Sequence, residues 1–258
     1  MDDERMKDMA NHALQTTDER EQALLAPYAM FSQLSQGRRY EEPIHPYRSV
    51  FQRDRDRIVH SAAYRRLSGK MQVFTGDMGD YHRTRLTHTQ EVASIARTMG
   101  RALRLNEDLV EALALFHDIG HPPFGHAGED ALAECLAEDG GFSHNQYALT
   151  IAEELETRHQ SFPGLNLTRE VLAGQASRVH KEDTQVHPLL EAQVVEAADS
   201  MTYDAHDVDD ALKLGLVTLE ELHEQEMIKI CVELINQRVS DLGPEEYIRA
   251  LIHTMVDC

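Results

Sequence analysis

The segment from Phe116 to Glu129 constrains the fold and the function of this chain more than any other stretch. Its fourteen residues contain three histidines and two carboxylates. Gly120 is placed to end one helix, the Pro122-Pro123 pair makes a rigid loop, and a new helix starts beyond it. This density of metal-binding and acid/base side chains is too high for an ordinary loop, and it indicates a functional site.

The sequence around this segment has the periodicity of amphipathic helices. One stripe, at steps of three and four residues, consists of His88, Val92, Ile95, Met99 and Leu103. His88 is therefore expected to face inward with the apolar residues. Asn106 is the predicted N-cap of the next helix, which runs to His117. Ser143 and Gln146 form a predicted capping box for a later helix.

The remaining segments also favour helices. Residues 49–67 are predicted to form one helix, and residues 71–74 are the best strand-like candidate, kept short by nearby glycines. Pro188 is expected to open a long helix with a step of about four residues, along which lie Ala192, Val195, Asp199, Tyr203 and Asp207. A final helix begins at Gly243-Pro244. The prediction is an all-α fold.

Composition limits the class of protein. A chain of 258 residues buries a full core, and without a linker-like run it is expected to form one large domain. The net charge of -20 argues against a nucleic-acid or anionic-membrane partner. The three cysteines form no motif, and neither an export signal nor an apolar run of about 20 residues is present. We therefore expect a cytoplasmic protein without a membrane partner.

The positive charge is unevenly distributed. Eleven of the 25 lysines and arginines fall between Arg38 and Arg85. This local cationic wall fits a small polyanionic ligand better than a long polymer. The alternation of sign from Arg53 to Arg57 also fits a solvated, salt-bridged helix face, and both interpretations stay open.

Four side chains form a plausible metal-ligand set: the inward-facing His88, the His117-Asp118 pair and the inward-facing Asp199. Two neutral imidazoles and two carboxylates balance a divalent cation, which relieves the cost of burying the acids. Because no thiolate is involved, the expected ion is Mn, Mg, Fe, Co or Zn rather than a structural cysteine-bound zinc. The alternative is that the histidines are satisfied core residues and Asp199 is an ion-pair partner.

A second group of side chains suits proton transfer and phosphate contact. Glu129 follows His126 by three residues, so on a helical turn it is expected to orient that ring and tune its basicity. A histidine held in this way next to a metal acts as a general acid or base. His121 is fixed by the same loop, and His144 starts a helix, where an anion is favoured. The alternative is a cluster of surface histidines. Walker, nucleophilic-serine and dinucleotide motifs are absent from the sequence.

The ordered series of motifs resembles one family, the HD-domain metal-dependent phosphohydrolases, in their dGTPase-like (deoxyguanosine triphosphate triphosphohydrolase) branch. The resemblance runs from about Arg38 to the end of the chain. The matching stretches, besides the opening segment, are residues 51–57, 65–67, 70–74, 83–92, 164–168 and 198–203.

This resemblance implies an HD-domain helical bundle with a metal site between core helices. The implied activity belongs to nucleotide metabolism: hydrolysis of a dNTP, dGTP-like, between the α phosphorus and the 5′ oxygen, giving a deoxynucleoside and inorganic triphosphate. By the same matching, His88, His117, Asp118 and Asp199 hold the metal. His126 with Glu129 is the acid/base unit that protonates the departing oxygen, and His121 and His144 contact phosphate oxygens.

The substrate contacts are carried over in the same way. Arg85 is expected near the phosphates, Gln72 at the sugar, and Tyr203 and Asp207 on the sugar side. Asp207 accepts a hydrogen bond from the 3′ hydroxyl, and Tyr203 packs against the deoxyribose so that a 2′ hydroxyl is disfavoured. A homo-oligomer is expected from the resemblance alone.

The resemblance divides the chain into an N-terminal helical extension, residues 1–40, and a dNTP triphosphohydrolase core, residues 41–258. Chains of this family usually continue beyond the point where this one stops, so the core is expected to lack a C-terminal continuation that supplies further contacts. Two alternatives therefore stay open: another HD nucleotide phosphohydrolase, and a non-catalytic nucleotide-binding remnant.

Overall fold

A computed structural model describes residues 16–72, 83–179, 187–239 and 242–257. In these ranges the regular structure is helical, apart from two isolated β-bridges that join Arg38 to Thr168 and Met71 to Thr84. The α-helices are α1 (Thr17–Leu24), α2 (Val50–Val59), α3 (Ala62–Arg66), α4 (Arg85–Ala102), α5 (Glu107–Phe116), α6 (Gly125–Cys135), α7 (His144–Thr150), α8 (Arg169–Val179), α9 (Leu190–Lys213), α10 (Leu219–Leu222), α11 (Glu226–Arg238) and α12 (Pro244–Asp257). The all-α prediction is confirmed.

Helix α5 is the centre of the larger of two hydrophobic clusters. It is buried on almost every side from Leu109 to Phe116, which is the pattern of a core helix rather than of a surface helix. Helices α2, α4, α8 and α9 pack around it. Its N-terminus is capped by Asn106, which accepts a hydrogen bond from the backbone of Leu109, as the sequence predicts.

The second hydrophobic cluster lies towards the C-terminal end of the described chain. It joins the second half of α9 to α11 and α12 through Ala205, Ile228, Cys231, Val232, Ile235, Leu251 and Met255. Helix α9 contributes to both clusters, because Val194, Val195 and Ala198 belong to the first. Across the described residues, no helix is long and apolar enough to cross a membrane.

Three predictions about local structure need correction. Residues 49–67 form two helices and a 3-10 turn rather than one helix, because Ser61 caps a new helix by accepting from the backbone of Tyr64. The strand-like segment is reduced to the bridge at Met71, and residues 73 and 74 lie outside the described ranges. Leu103 is 47% exposed, so the buried stripe of α4 turns away from it toward Ala96 and Gly100.

Gly120 is required for a different reason than helix termination. Its φ is not positive, but a Cβ at this position would lie 2.1 Å from the carbonyl oxygen of His144 and 2.6 Å from the backbone nitrogen of Ala148. Helix α7 therefore packs directly against the backbone of the 116–129 segment. This close approach brings His144 to the same place as the histidines of that segment.

Candidate metal centre and active site

The four predicted metal ligands converge from three parts of the chain. His88 lies in the first turns of α4, His117 caps the C-terminus of α5 with Asp118 next to it, and Asp199 lies in α9. Each of three residues offers one ligand atom, and these atoms lie within 4.8 Å of one another: His88, His117 and Asp118. The Oδ1 atom of Asp199 is 3.1 Å from Nε2 of His88 and 3.5 Å from Nε2 of His117.

The orientation of the two imidazoles fits a shared cation. Nδ1 of His117 donates to the carbonyl oxygen of Ala114 at 2.6 Å, which leaves Nε2 as the lone-pair nitrogen. That Nε2 atom is buried without a hydrogen-bond partner. The rings of His88 and His117 are inclined at 68°, so lone pairs in both ring planes can meet at one point. The mixed nitrogen and oxygen donor set suits a divalent transition metal or magnesium.

Each aspartate has one oxygen turned toward the histidines and the other bound to an arginine. Oδ2 of Asp118 accepts from Arg85 at 2.8 Å, and Oδ2 of Asp199 accepts from Arg178 at 2.6 Å. Burial alone would raise the pKa of Asp118, but His117 and then Arg85 outweigh burial and hold that pKa well below its usual range. Burial likewise opposes ionisation of Asp199, yet His117, His88 and Arg178 lower its pKa. Both carboxylates are therefore ionised at neutral pH.

A second group of side chains, which we call the histidine wall, consists of His121, Glu129 and His144. Nε2 of His121 lies 3.3 Å from Oδ1 of Asp118, so the wall adjoins the metal centre. Burial lowers the pKa of His121 to about 2, and burial also lowers the pKa of His144 against the opposing effect of Glu129. Both imidazoles are neutral at pH 7 and so have one N–H each, which in His144 is the Nδ1 proton held by Glu129.

Although the donor atoms of the histidine wall are close enough for an ion, the ring geometry argues against a second one. The rings of His121 and His144 are stacked, with centroids 3.7 Å apart and planes inclined at 19°. A metal bound by an imidazole lies in the plane of its ring, and two nearly parallel, separated planes do not meet at a single ion. The wall therefore suits contact with phosphate oxygens better than metal binding.

The predicted pairing of Glu129 with His126 is wrong. Glu129 instead accepts from Nδ1 of His144 at 2.8 Å and from the backbone nitrogen of His144 at 2.8 Å. A carboxylate at the start of α7 binds the free N–H groups of that helix end, and this attraction outweighs the local helical spacing to His126. His126 is exposed, with its ring centroid 5.6 Å from that of His121.

The predicted substrate-binding residues lie around the centre, but Arg85 has a different partner than expected. Arg85 is 2% exposed and binds Asp118, one of the predicted metal ligands. Gln72 is buried, and its Oε1 atom has no hydrogen-bond partner among the residues that the structure describes. Tyr203 and Asp207 follow Asp199 by one and two turns of α9. Burial raises the pKa of Tyr203, as does its hydrogen bond to Asp207.

Unsatisfied polar atoms are concentrated at this site. Within the described residues, most of the buried side-chain nitrogen and oxygen atoms without a hydrogen-bond partner belong to Gln72, Arg85, His88, His117, His121, Arg178, His206 and Asp207. Buried polar atoms without partners are uncommon in folded proteins and call for an explanation. A cation shared by the four converging residues accounts for the buried Nε2 atom of His117.

Two contacts at the centre were not expected from the sequence. Arg178, at the end of α8 and 21 residues before Asp199 in the chain, binds Asp199. The one feature of the sequence that marks Arg178 is its place as a basic residue in the last turn of a helix. Nζ of Lys70 donates to the carbonyl oxygen of His121 at 2.5 Å. The predicted cationic wall is mostly paired: Arg38, Arg48, Arg53, Arg55, Arg57, Arg83 and Arg85 all bind carboxylates.

The family model described as HD domain matches residues 85–204 of this chain. The match begins at the first residue of α4 and ends in α9. It therefore covers all four converging residues, from His88 to Asp199.

Curated relatives carry the name deoxyguanosinetriphosphate triphosphohydrolase-like protein. Those of Brucella ovis and Bordetella pertussis are each 46% identical over 90% of this chain, and that of Ralstonia pickettii is 50% identical over 78% of it. The alignments cover 65%, 66% and 55% of the length of these relatives, in that order. The chain thus spans less than two thirds of the curated relatives it matches. It contains an HD domain and is similar over most of its length to the deoxyguanosinetriphosphate triphosphohydrolase-like proteins.

Proposed function

We propose that this protein is a metal-dependent phosphohydrolase that converts a dNTP, dGTP-like, into a deoxynucleoside and inorganic triphosphate. The observation that carries the proposal is that the ligand atoms of His88, His117, Asp118 and Asp199 come together from three parts of the chain. The names of the curated relatives support the same activity.

The proposed metal ligands are these four side chains. A divalent cation bound to them supplies Lewis acidity toward a phosphate oxygen and lowers the pKa of a bound water. The chain's own contribution is to keep the imidazole of His117 in one tautomer and the two carboxylates ionised. The mixed nitrogen and oxygen donor set accommodates Mn, Mg, Fe, Co or Zn.

The histidine wall is the proposed site for the phosphates. Close to the metal centre, the charges of Asp118 and Asp199 are balanced by Arg85 and Arg178. A divalent cation then gives the site a positive charge, which favours a polyphosphate. Neutral His121 donates a hydrogen bond to a phosphate oxygen without adding charge, whereas His144, whose Nδ1 proton is bound by Glu129, donates through Nε2 as an imidazolium, a form that Glu129 favours. The wall thereby stabilises negative charge as it develops in the reaction.

Proton transfer to the departing 5′ oxygen is assigned to His126. This ring is exposed beside the wall, with its centroid 6.4 Å from that of His144. Glu129 acts through His144: the carboxylate fixes the ring orientation and directs its remaining nitrogen toward the phosphates.

The sugar is proposed to lie against α9. Asp207 has a carboxylate oxygen without a partner, and it is the proposed acceptor for the 3′ hydroxyl. Tyr203 packs against the deoxyribose, and the unpartnered Oε1 atom of buried Gln72 is available to the sugar edge. This arrangement favours deoxyribose, because a 2′ hydroxyl meets the ring of Tyr203.

The direct test is to incubate the Mn²⁺-loaded protein with each dNTP and with GTP, and to resolve the products by ion chromatography. Inorganic triphosphate supports the proposal, whereas orthophosphate indicates another HD phosphohydrolase. Nucleotide binding without turnover indicates a non-catalytic nucleotide-binding protein. Asp118→Asn is expected to abolish triphosphate release, and Asp130→Asn, an exposed carboxylate of α6, is the matched control.

A further inference from the structure

Helix α8 lies unusually close to two other helices. At Gly174, a Cβ atom would stand 2.4 Å from Cδ2 of Leu113 in α5 and 3.5 Å from Cβ of Ala192 in α9. A side chain fits at this crossing only if the end of the Leu113 side chain moves away. The crossing sets the distance from the last turn of α8 to the metal centre.

Two side chains of α8 near this crossing contact residues at the metal centre or beside it. Gln175 donates to Oδ1 of Asn145 at 2.9 Å and lies 3.5 Å from the carbonyl oxygen of His117. Three residues later, Arg178 binds Oδ2 of Asp199 at 2.6 Å. Its other terminal nitrogen binds Glu196, one turn earlier in α9, so the guanidinium is fixed at two points of the same helix.

We propose that Arg178 is a positioning residue of the metal centre, which holds Asp199 so that only its Oδ1 atom faces the ion. The proposal deepens the proposed function, since it rests on a metal being bound at this centre. Arg178 is a cation and therefore lies outside the set of metal ligands. It acts through Asp199, as partners of metal-binding carboxylates do in other metal sites.

If Arg178 acted only through its charge, its removal would change the metal affinity in the opposite direction from that expected for a positioning residue. A guanidinium beside the site repels a divalent cation, so removing its charge strengthens metal binding if orientation does not matter. If orientation dominates, Asp199 rotates freely without Arg178, and metal binding weakens. The sign of the change in metal affinity therefore separates the two roles.

The experiment measures Mn²⁺ affinity without nucleotide, by counting free Mn²⁺ with electron paramagnetic resonance during a titration of the full chain. Arg178→Met is expected to weaken binding about 10- to 100-fold, which is typical for loss of a partner of a metal ligand. Arg178→Lys keeps the charge but loses the two separate terminal nitrogens of the guanidinium. Its Mn²⁺ affinity is expected to lie between those of Arg178→Met and wild type. Arg169→Met, an exposed arginine of the same helix, is the matched control and is expected to bind as wild type does.

Equal or tighter Mn²⁺ binding by Arg178→Met overturns the proposal. If Arg178→Met does not fold by circular dichroism, Arg178→Lys decides: weaker binding at an unchanged melting temperature supports the proposal, and unchanged binding overturns it. Wild-type protein that binds no Mn²⁺ refutes the metal centre itself, and with it the proposed function. Failure of the positioning role alone leaves wild-type binding intact, so the two failures are distinguishable.

Discussion

Glu129 is hydrogen-bonded to His144, which lies 15 residues away in the sequence, and not to His126, which precedes it by three. The carboxylate binds both the backbone nitrogen and Nδ1 of His144. It therefore joins the segment that follows His117-Asp118 to the start of α7. The proposed division of labour follows from this pairing: Glu129 supports a phosphate contact, and His126 works without a carboxylate partner.

This pairing predicts which mutations are energetically coupled. In a double-mutant cycle on kcat/KM, Glu129→Gln and His144→Gln are expected to be non-additive by about 1–3 kcal/mol, because each breaks the same hydrogen bond. Glu129→Gln and His126→Gln are expected to be additive within about 0.5 kcal/mol. Stronger coupling of Glu129 to His126 than to His144 contradicts the structure.

Asp207 is expected to contribute to substrate binding rather than to chemistry. Asp207→Ala should raise KM about tenfold with little change in kcat, since it removes one hydrogen bond made equally to substrate and transition state. Asp204→Asn, an exposed acid in the adjacent turn of α9, serves as the control. An unchanged KM accompanied by loss of bound metal refutes this assignment.

The metal centre predicts stabilisation by divalent cations. At a Mn²⁺ concentration 100 times the dissociation constant, binding to the folded state adds about 2.7 kcal/mol to the free energy of unfolding. Asp199→Asn should lose this increase, whereas His187→Gln, at an exposed histidine, should keep it. Thermal melts with and without Mn²⁺ measure both, and an equal increase in Asp199→Asn excludes Asp199 as a ligand.

Glu42 is expected to make stability depend on acid pH. It accepts two short hydrogen bonds from Arg57, at 2.6 and 2.7 Å. Burial raises its pKa, but Arg57, Arg53 and Arg38 together outweigh burial, and the net pKa is lowered. Because the folded-state pKa is the lower one, the stabilisation is present above the unfolded value of about 4.3 and is lost as the pH falls through the folded value.

Glu42→Gln should therefore reduce stability at pH 7 by about 1 kcal/mol and make stability less sensitive to pH below about 5. Urea unfolding at a series of pH values gives both quantities. Glu41→Gln changes an exposed neighbour and should match wild type at every pH. A Glu42→Gln curve parallel to that of wild type contradicts the ion pair.

The contact of Gly120 with α7 predicts a large effect of a small side chain. In Gly120→Ala the new methyl group meets the backbone of His144 and Ala148, which cannot rotate away, so stability should fall by about 3 kcal/mol or more. Gly69→Ala is the control, because a Cβ there meets no atom within 4 Å. Equal denaturation midpoints for the two variants contradict the close packing.

Features set by neighbours in the sequence were predictable. Asn106 caps α5 and Pro244 begins α12 as predicted, because a cap depends on a side chain and a backbone N–H only a few residues apart. The all-α class follows from the same local rules. Ser143 accepts from Gln146, although the reciprocal bond of the predicted capping box is not formed.

Features set by tertiary contacts were not predictable. Ser61 divides the predicted helix 49–67, since in the folded chain it is fully buried and caps α3. Glu129 has a local candidate partner in His126, but folding offers it the N-terminus of α7. Arg178 reaches Asp199 only because α8 packs closely at Gly174, and a single sequence contains no record of that crossing.

The arginine-bound aspartates have a consequence for the choice of cation. Calcium takes six to eight oxygen ligands and often binds both oxygens of a carboxylate. At this centre Oδ2 of Asp118 and Oδ2 of Asp199 are already hydrogen-bonded, and two of the four donors are imidazole nitrogens. The proposed site is thus selective by ligand count: it discriminates against calcium and favours smaller ions with fewer ligands.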